Sequence, residues 1–206
     1  MSNRATAEPA KNWAKFLNPA SLKANLISAS LFLAAYEIFK GSAVTSIRGF
    51  IFDDDRYSEH VSSRHKSPLK ASLLWLQEQG AINDQDVELA DRLRQHRNNL
   101  AHNLPKHLSL VDHNVEAETI GSIYALVSKI DRWWIREVRM PTDPAFDHLN
   151  PREIADGDLS SGTMIFLKVM AHIATGNDDE AADLFKLFAK VTGWADGVEG
   201  REAAAD

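Results

Sequence analysis

Apolar residues recur every three or four positions along the long segments of this sequence, and this helical period constrains the fold more than any other feature. The clearest stripe belongs to a helix predicted from Asn114 to about Arg139. Its members are Ile120, Ile123, Val127, Ile130, Trp134 and Val138. No segment of convincing length alternates between apolar and polar residues as a half-buried strand would, and no repeat of solenoid length is present. The sequence therefore predicts an all-α protein.

Capping residues place the ends of the other predicted helices. These helices span residues 22–40, 69–79, 84–103 and 162–175, with a last helix after Asn177. Gly41 is expected either to cap the first helix or to kink it, with residues 43–52 as its continuation, and Gly80 and Gly176 are expected to end two others. Pro105 disfavours helical geometry at the preceding residue and is expected to end the helix that Asn83 caps.

The organisation along the chain is predicted from breaks in composition. Residues 1–20 are polar and contain two prolines, so we expect a flexible arm and no signal peptide. Residues 21–140 are predicted to form one helical bundle, in which the polar run 53–68 is a loop. Three prolines in residues 141–151 separate it from a helical extension over residues 141–206, whose tail is expected to fray.

Composition excludes several classes of function. The 206 residues suffice for one sizeable core, and the net charge of -6 argues against a protein that coats nucleic acid by bulk electrostatics. The absence of cysteine excludes disulfides, thiolate metal sites and a cysteine nucleophile, and it suits the cytoplasm. The apolar stretch 26–35 is too short for a bilayer span, so no membrane partner is expected. No HExxH or Glu-x-x-His pattern occurs, so neither a metal nor a cofactor is expected.

The candidate site is the hexapeptide Arg97-Asn98-Asn99-Leu100-Ala101-His102. On a helical wheel, Arg97 falls within an apolar stripe that includes Leu93 and Leu100. A guanidinium in such a stripe must be paired, border a cleft or lie at an interface, because an unpaired buried charge is costly. The structural alternative is an ion pair between Arg97 and Glu37 of the first helix.

His102 lies roughly 140° from Arg97 on the same wheel, so a straight helix does not direct both side chains to one point. Distortion of the last turn before Pro105 would bring them together. Apposition of two chains across a twofold axis would do so as well, with His102 of one chain approaching Arg97 of the other.

The string Arg-Asn-x-Leu-Ala-His at the end of a helix resembles the signature of HEPN-domain ribonucleases of the abortive-infection or toxin type. These are up-down bundles of four or five helices with an Arg-x4-6-His motif, in which Asn, Asp or His often follows the Arg. The resemblance covers roughly residues 20–140. One departure is Leu104, which stands where HEPN toxins modified by nucleotidyltransferases have Tyr.

The resemblance implies metal-independent RNA cleavage at the interface of a homodimer. His102 would then be the acid/base group, and Arg97 would hold the scissile phosphate. Asn98 would be a polar neighbour that orients Arg97. A partner RNA or nucleotide is implied, together with an antitoxin or another component of a defence system. Imidazole and guanidinium suit this chemistry, since RNA supplies its own nucleophile in the 2'-hydroxyl.

Two other functions stay open at this stage. One is a non-catalytic HEPN-like module that binds RNA or nucleotide or mediates assembly. The other is a purely structural helical dimer in which Arg97 pairs with Glu37. A predicted basic patch around the motif favours a phosphate ligand, although Glu88 and Asp91 are placed to neutralise part of it. The members of this patch are Arg92, Arg94, His96, Lys106 and His107.

Overall fold

The computed structural model describes residues 18–109 and 115–192, and the elements in these ranges are helical with no strand. The main helices are α1 (Pro19–Phe50), α2 (Asp54–His60), α3 (Pro68–Glu78), α4 (Asp84–His102), α5 (Leu104–Ser109), α6 (Ala117–Trp133), α7 (Gly162–Thr175) and α8 (Asp178–Thr192). A π-helical segment, Trp134–Arg139, continues α6. The prediction of an all-α protein is therefore confirmed.

Helix α1 is the central element of the bundle, and it extends past the predicted range 22–40 into residues 43–50, the continuation that the sequence left open. The side chain of Asn18 caps it by accepting hydrogen bonds from the backbone N–H groups of Ala20 and Ser21, at 3.0 and 3.1 Å. Residues 19 and 20 of the predicted arm thus belong to the helix, and residues 1–17 lie outside the described part. Gly41 does not end α1, because Phe39 and Ala43 continue its buried stripe on either side.

Helix α1 is long and apolar enough to cross a membrane, but the core helix of a soluble protein meets this criterion equally well. In this structure the stripe of α1 packs into the core of the bundle. Its buried members are Ala29, Phe32, Ala35, Tyr36, Phe39, Ala43 and Ile47. A cytoplasmic location stays a prediction of the sequence.

Residues 53–68 were predicted to be a loop, and this is wrong. They contain α2 and a 3₁₀ turn, Ser62–Arg64, and Asp53 caps α2 by accepting from the Arg56 N–H at 2.9 Å. Tyr57 and Val61 are only 7% and 0% exposed. Two apolar side chains four residues apart anchor one helical turn on the core, although the rest of the segment is polar.

The caps predicted around the motif helix are present. Asn83 and Asp86 form a reciprocal capping box at the start of α4, and Gly80 has the positive φ of 78° expected after α3. Helix α4 ends at His102, before Pro105, as predicted. The chain then forms the short helix α5, and the predicted start of the following helix at Asn114 lies outside the described residues.

Residues beyond the proline-rich segment pack against the bundle. Leu167 of α7 is fully buried in the cluster that contains Phe32 and Ile123, and its carbonyl accepts a hydrogen bond of 2.8 Å from the Tyr124 hydroxyl. Gly176 ends α7 with a φ of 79°, as predicted. The tail predicted to fray from Gly193 lies outside the described residues.

Candidate functional site

Arg97 lies on α4 and faces α1, where its guanidinium meets the carboxylate of Glu37. Nη2 and Nε of Arg97 donate to the same oxygen, Oε1 of Glu37, at 2.5 and 3.0 Å. The side chains are 34% and 44% exposed, so the pair borders solvent and is not sealed in the core. The sequence left open whether Arg97 is paired or borders a cleft, and in the structure it does both.

Glu37 is shared between two cations. Its second oxygen, Oε2, accepts from Lys40 one turn further along α1, at 3.1 Å. Burial of the carboxyl tends to raise its pKa, but the hydrogen bonds from Lys40 and Arg97 outweigh burial and hold the pKa of Glu37 below its ordinary value. Glu37 is therefore ionised at neutral pH and screens both cations.

An open pocket surrounds this ion pair. Its lining comes from three helices and the residue before α3: Tyr36, Glu37, Lys40, Ser67, Pro68, Leu69, Arg94, Arg97 and Asn98. Three of these side chains are cations and one is a carboxylate. Asn98 accepts from Nη1 of Arg97 at 3.4 Å. The pocket thus combines excess positive charge with hydroxyl and amide groups, which suits a phosphate group.

His102 does not reach this pocket. It lies in the last turn of α4, exposed to solvent, with no hydrogen bond or ion pair to the described residues, and it is absent from the pocket lining. The helix stays α-helical through His102, so no distortion redirects the imidazole toward Arg97. A single chain therefore presents Arg97 and Asn98 together and His102 apart from them.

The predicted basic patch is smaller than the sequence suggested. His107 is 6% exposed and lies beneath the surface, and the His96 ring stands edge-on to Phe32 at 4.8 Å. Arg92 and Arg94 lie 3.9 and 3.8 Å from carboxylates one turn away. Those carboxylates belong to Glu88 and Asp91, which the sequence predicted to neutralise part of the patch.

Burial also changes the titration of His96. The pKa of His96 lies below its ordinary value, mainly because burial removes water from the imidazole. The neighbouring His107 lowers this pKa further, and Glu116 opposes the shift. The imidazole is therefore neutral at pH 7 and adds no charge to the patch.

Sequence analysis did not assign Lys40, Tyr36 or Ser67 to the site. Glu37 and Lys40 are spaced to share one face of α1, a signal that was available in the sequence. Ser67 reaches the pocket only through the fold, because nothing in its local sequence relates it to α4. No group of three or more His, Asp or Glu side chains in residues 18–109 and 115–192 is placed to hold a metal ion.

Comparison with known proteins gives no relative: no family model, curated protein or solved structure matches the chain.

Proposed function

We propose that the chain is a metal-independent endoribonuclease of the HEPN type, which binds an RNA phosphate in the pocket around Arg97. The observation that supports this is the open pocket itself, whose lining contains Lys40, Arg94 and Arg97 and one carboxylate, Glu37, with Asp91 3.8 Å from Arg94 outside the lining. Such local positive charge is what an acidic protein requires to bind RNA at a defined place.

The chemistry requires a proton carrier and a fixed cation. The 2'-oxygen of RNA attacks the adjacent phosphorus while an imidazole takes its proton. The bond from phosphorus to the 5'-oxygen breaks, and that oxygen is protonated in turn. Arg97 binds the non-bridging oxygens, on which negative charge grows in the transition state, and Asn98 orients its guanidinium. The products are a 2',3'-cyclic phosphate and a 5'-hydroxyl.

The imidazole is supplied by a second copy of the chain in this proposal. His102 is exposed, has no hydrogen bond or ion pair within the described part of the chain, and does not line the pocket. Two chains related by a twofold axis would build two sites, each with Arg97 of one chain and His102 of the other.

A non-catalytic module that binds RNA or nucleotide is the second candidate. The position of His102 favours it over the enzyme, because a single chain does not bring this imidazole into the pocket that Arg97 lines. Both candidates predict RNA binding that depends on Arg97, and only the enzyme requires His102.

The test is incubation of the full chain with end-labelled RNA in EDTA. Wild type is compared with Arg97→Ala, His102→Ala and the control Arg48→Ala, which removes an exposed arginine outside the pocket. We expect cleavage by wild type and by the control, and loss of cleavage in the two motif variants. Cleavage that persists in both motif variants, or that EDTA abolishes, contradicts the enzyme. RNA binding without cleavage by wild type supports the binding module.

Mixing the two inactive variants tests the composite site. After exchange of subunits, half of the dimers are mixed, and each mixed dimer has one intact site of two, so activity should return to about a quarter of the wild-type level. No recovery, in a sample shown to exchange subunits, would place the site within one chain.

A further inference from the structure

A second cleft lies between α6 and the segment that precedes α7, and it shares no residue with the Arg97 pocket. Its lining consists of Ala125, Lys129, Arg132, Trp133, Arg136, Glu137 and Asp156. All of these except Asp156 belong to α6 and its π-helical continuation, Trp134–Arg139. Segments of π-helix inside α-helices are rare and occur frequently at functional sites.

Two arginines in this cleft converge on one carboxylate. Arg132 and Arg136 lie 2.8 and 2.6 Å from different oxygens of Asp156. Arg132 is oriented by Ser128, whose hydroxyl and carbonyl accept from it at 2.6 and 3.1 Å. Arg136 also donates to the carbonyl of Ile154 at 2.7 Å. The two guanidinium groups are thus held in position by protein atoms other than Asp156.

The carboxylate does not satisfy this pair of cations. The side chain of Asp156 is 59% exposed, whereas Arg132 and Arg136 are 29% and 25% exposed. The Nε of Arg136 is buried and has no hydrogen-bond partner among the described residues. Lys129 adds a third cation, which Asp86 contacts from outside the cleft lining, and Glu137 adds a second carboxylate, so the lining holds three cations and two carboxylates. A larger anion with three or four oxygens would use donors of Arg132 and Arg136 that the carboxylate of Asp156 leaves unused.

Trp133 provides the apolar wall of the same cleft. It is partly exposed, and the rings of Trp75 and Trp134 hold it at centroid distances of 6.2 and 5.2 Å. A fixed aromatic side chain beside guanidinium groups suits a planar base attached to a phosphate.

We propose that this cleft binds the phosphate group of a nucleotide, with the phosphate between Arg132 and Arg136 and the base against Trp133. Asp156 is a tethered anion that occupies the arginines until the ligand displaces it. The phosphate is carried by a free nucleotide or by an RNA strand, and the two sources share this chemistry. The site is independent of cleavage at Arg97.

A purely structural role makes the opposite prediction for Asp156. If the ion pairs of Asp156 with Arg132 and Arg136 only hold residues 151–158 against α6, loss of the carboxylate weakens this contact and does not strengthen the binding of a phosphate ligand. If Asp156 competes with a ligand, loss of the carboxylate strengthens binding. The isosteric change Asp156→Asn separates the two roles.

The experiment is calorimetric titration of the full chain with inorganic phosphate, AMP and an eight-nucleotide single-stranded RNA. All proteins carry Arg97→Ala, so that the other pocket does not contribute. The variants are Arg136→Gln and Asp156→Asn, and the control is Arg48→Gln, which removes an exposed arginine outside the cleft. Circular dichroism establishes that each variant is folded, and Arg132→Gln replaces Arg136→Gln if the latter is not.

We expect AMP to bind more tightly than phosphate, and Arg136→Gln to weaken binding at least about tenfold, as loss of a charge-assisted contact does. Asp156→Asn should tighten binding several-fold, and the control should match its parent. If AMP does not bind, but RNA binds more weakly to Arg136→Gln and more tightly to Asp156→Asn than to the parent, the phosphate is carried by an RNA strand. The proposal is overturned if neither the parent nor Asp156→Asn binds any of the three ligands at millimolar concentration. It is also overturned if the arginine substitution leaves binding unchanged.

Discussion

Glu37 occupies the guanidinium of Arg97, the group that would bind the RNA phosphate in the proposed function. Its carboxylate contacts both Arg97 and Lys40 and is itself 44% exposed. Replacement by glutamine keeps the shape and removes the charge, so Glu37→Gln should bind RNA several-fold more tightly than wild type. The cost in unfolding free energy should stay below about 1 kcal/mol, because exposed ion pairs contribute little. Fluorescence anisotropy with labelled 2'-O-methyl RNA, which lacks the attacking hydroxyl and is not cleaved, together with urea unfolding, measures both quantities.

The matched control for this change is Glu78→Gln, which removes a carboxylate from an exposed pair with Arg64 outside the pocket. It should leave RNA affinity unchanged. Equal affinity of Glu37→Gln and wild type would mean that Arg97 is not a phosphate ligand. The pair itself should persist through the neutral range and be lost in acid, since the lowered pKa of Glu37 keeps the carboxylate ionised until the pH falls through that pKa.

His96 makes the stability of the fold depend on pH. Its pKa is lowered in the folded protein by burial and then by His107, whereas in the unfolded chain it takes the ordinary value of about 6.5. As the pH falls below that value, the unfolded chain binds a proton first, so stability decreases until the folded pKa is reached. His96→Gln should therefore lose less stability than wild type between pH 7.5 and 5.5, as measured by urea unfolding. An unchanged dependence in His96→Gln would contradict the assigned burial of this side chain.

At the scale of elements, local signals predicted the helices better than they predicted the segments between them. Asn83, Gly80 and Gly176 act at the ends of their own helices, so their effect is readable in the neighbouring residues. The helix α2 was missed because its stability comes from contacts of Tyr57 and Val61 with the core, and such contacts leave no trace in local polarity. The extent of α1 beyond Gly41 depends likewise on packing and not on propensity.

The candidate site was predictable only where it lies on one helix. Arg97 and Asn98 of the motif line the pocket, whereas His102 does not, a separation that the helical wheel already indicated. The pairing of Arg97 with Glu37 was one of several alternatives, because 60 residues separate them along the chain. Lys40 and Ser67 join the pocket through the packing of α1 and α3 against α4, and a single sequence does not encode this in any local pattern.

At the scale of the whole molecule, the residues after the proline-rich segment share the core of the bundle. Asp131 of α6 is 7% exposed and accepts from the hydroxyl of Ser161, which in turn caps α7. Burial raises the pKa of the Asp131 carboxyl, although Ser161 and Ser42 oppose the shift. These contacts join α1, α6 and α7 through one buried carboxyl group.

A shared core predicts that the bundle and α7 unfold together. Leu167→Ala removes a fully buried side chain from α7 and should lower the unfolding free energy by about 2–5 kcal/mol. Ile173→Ala on the same helix removes a side chain that is 58% exposed, and the cost should be within about 0.5 kcal/mol. Urea unfolding is followed by far-UV circular dichroism and by tryptophan fluorescence, which is sensitive to Trp75, Trp133 and Trp134 in the bundle. Both signals should shift to the same lower midpoint in Leu167→Ala, because loss of packing at α7 destabilises the core that holds the tryptophans. A fluorescence midpoint that stays at the wild-type value while circular dichroism reports an earlier transition would mean that α7 unfolds independently of the bundle.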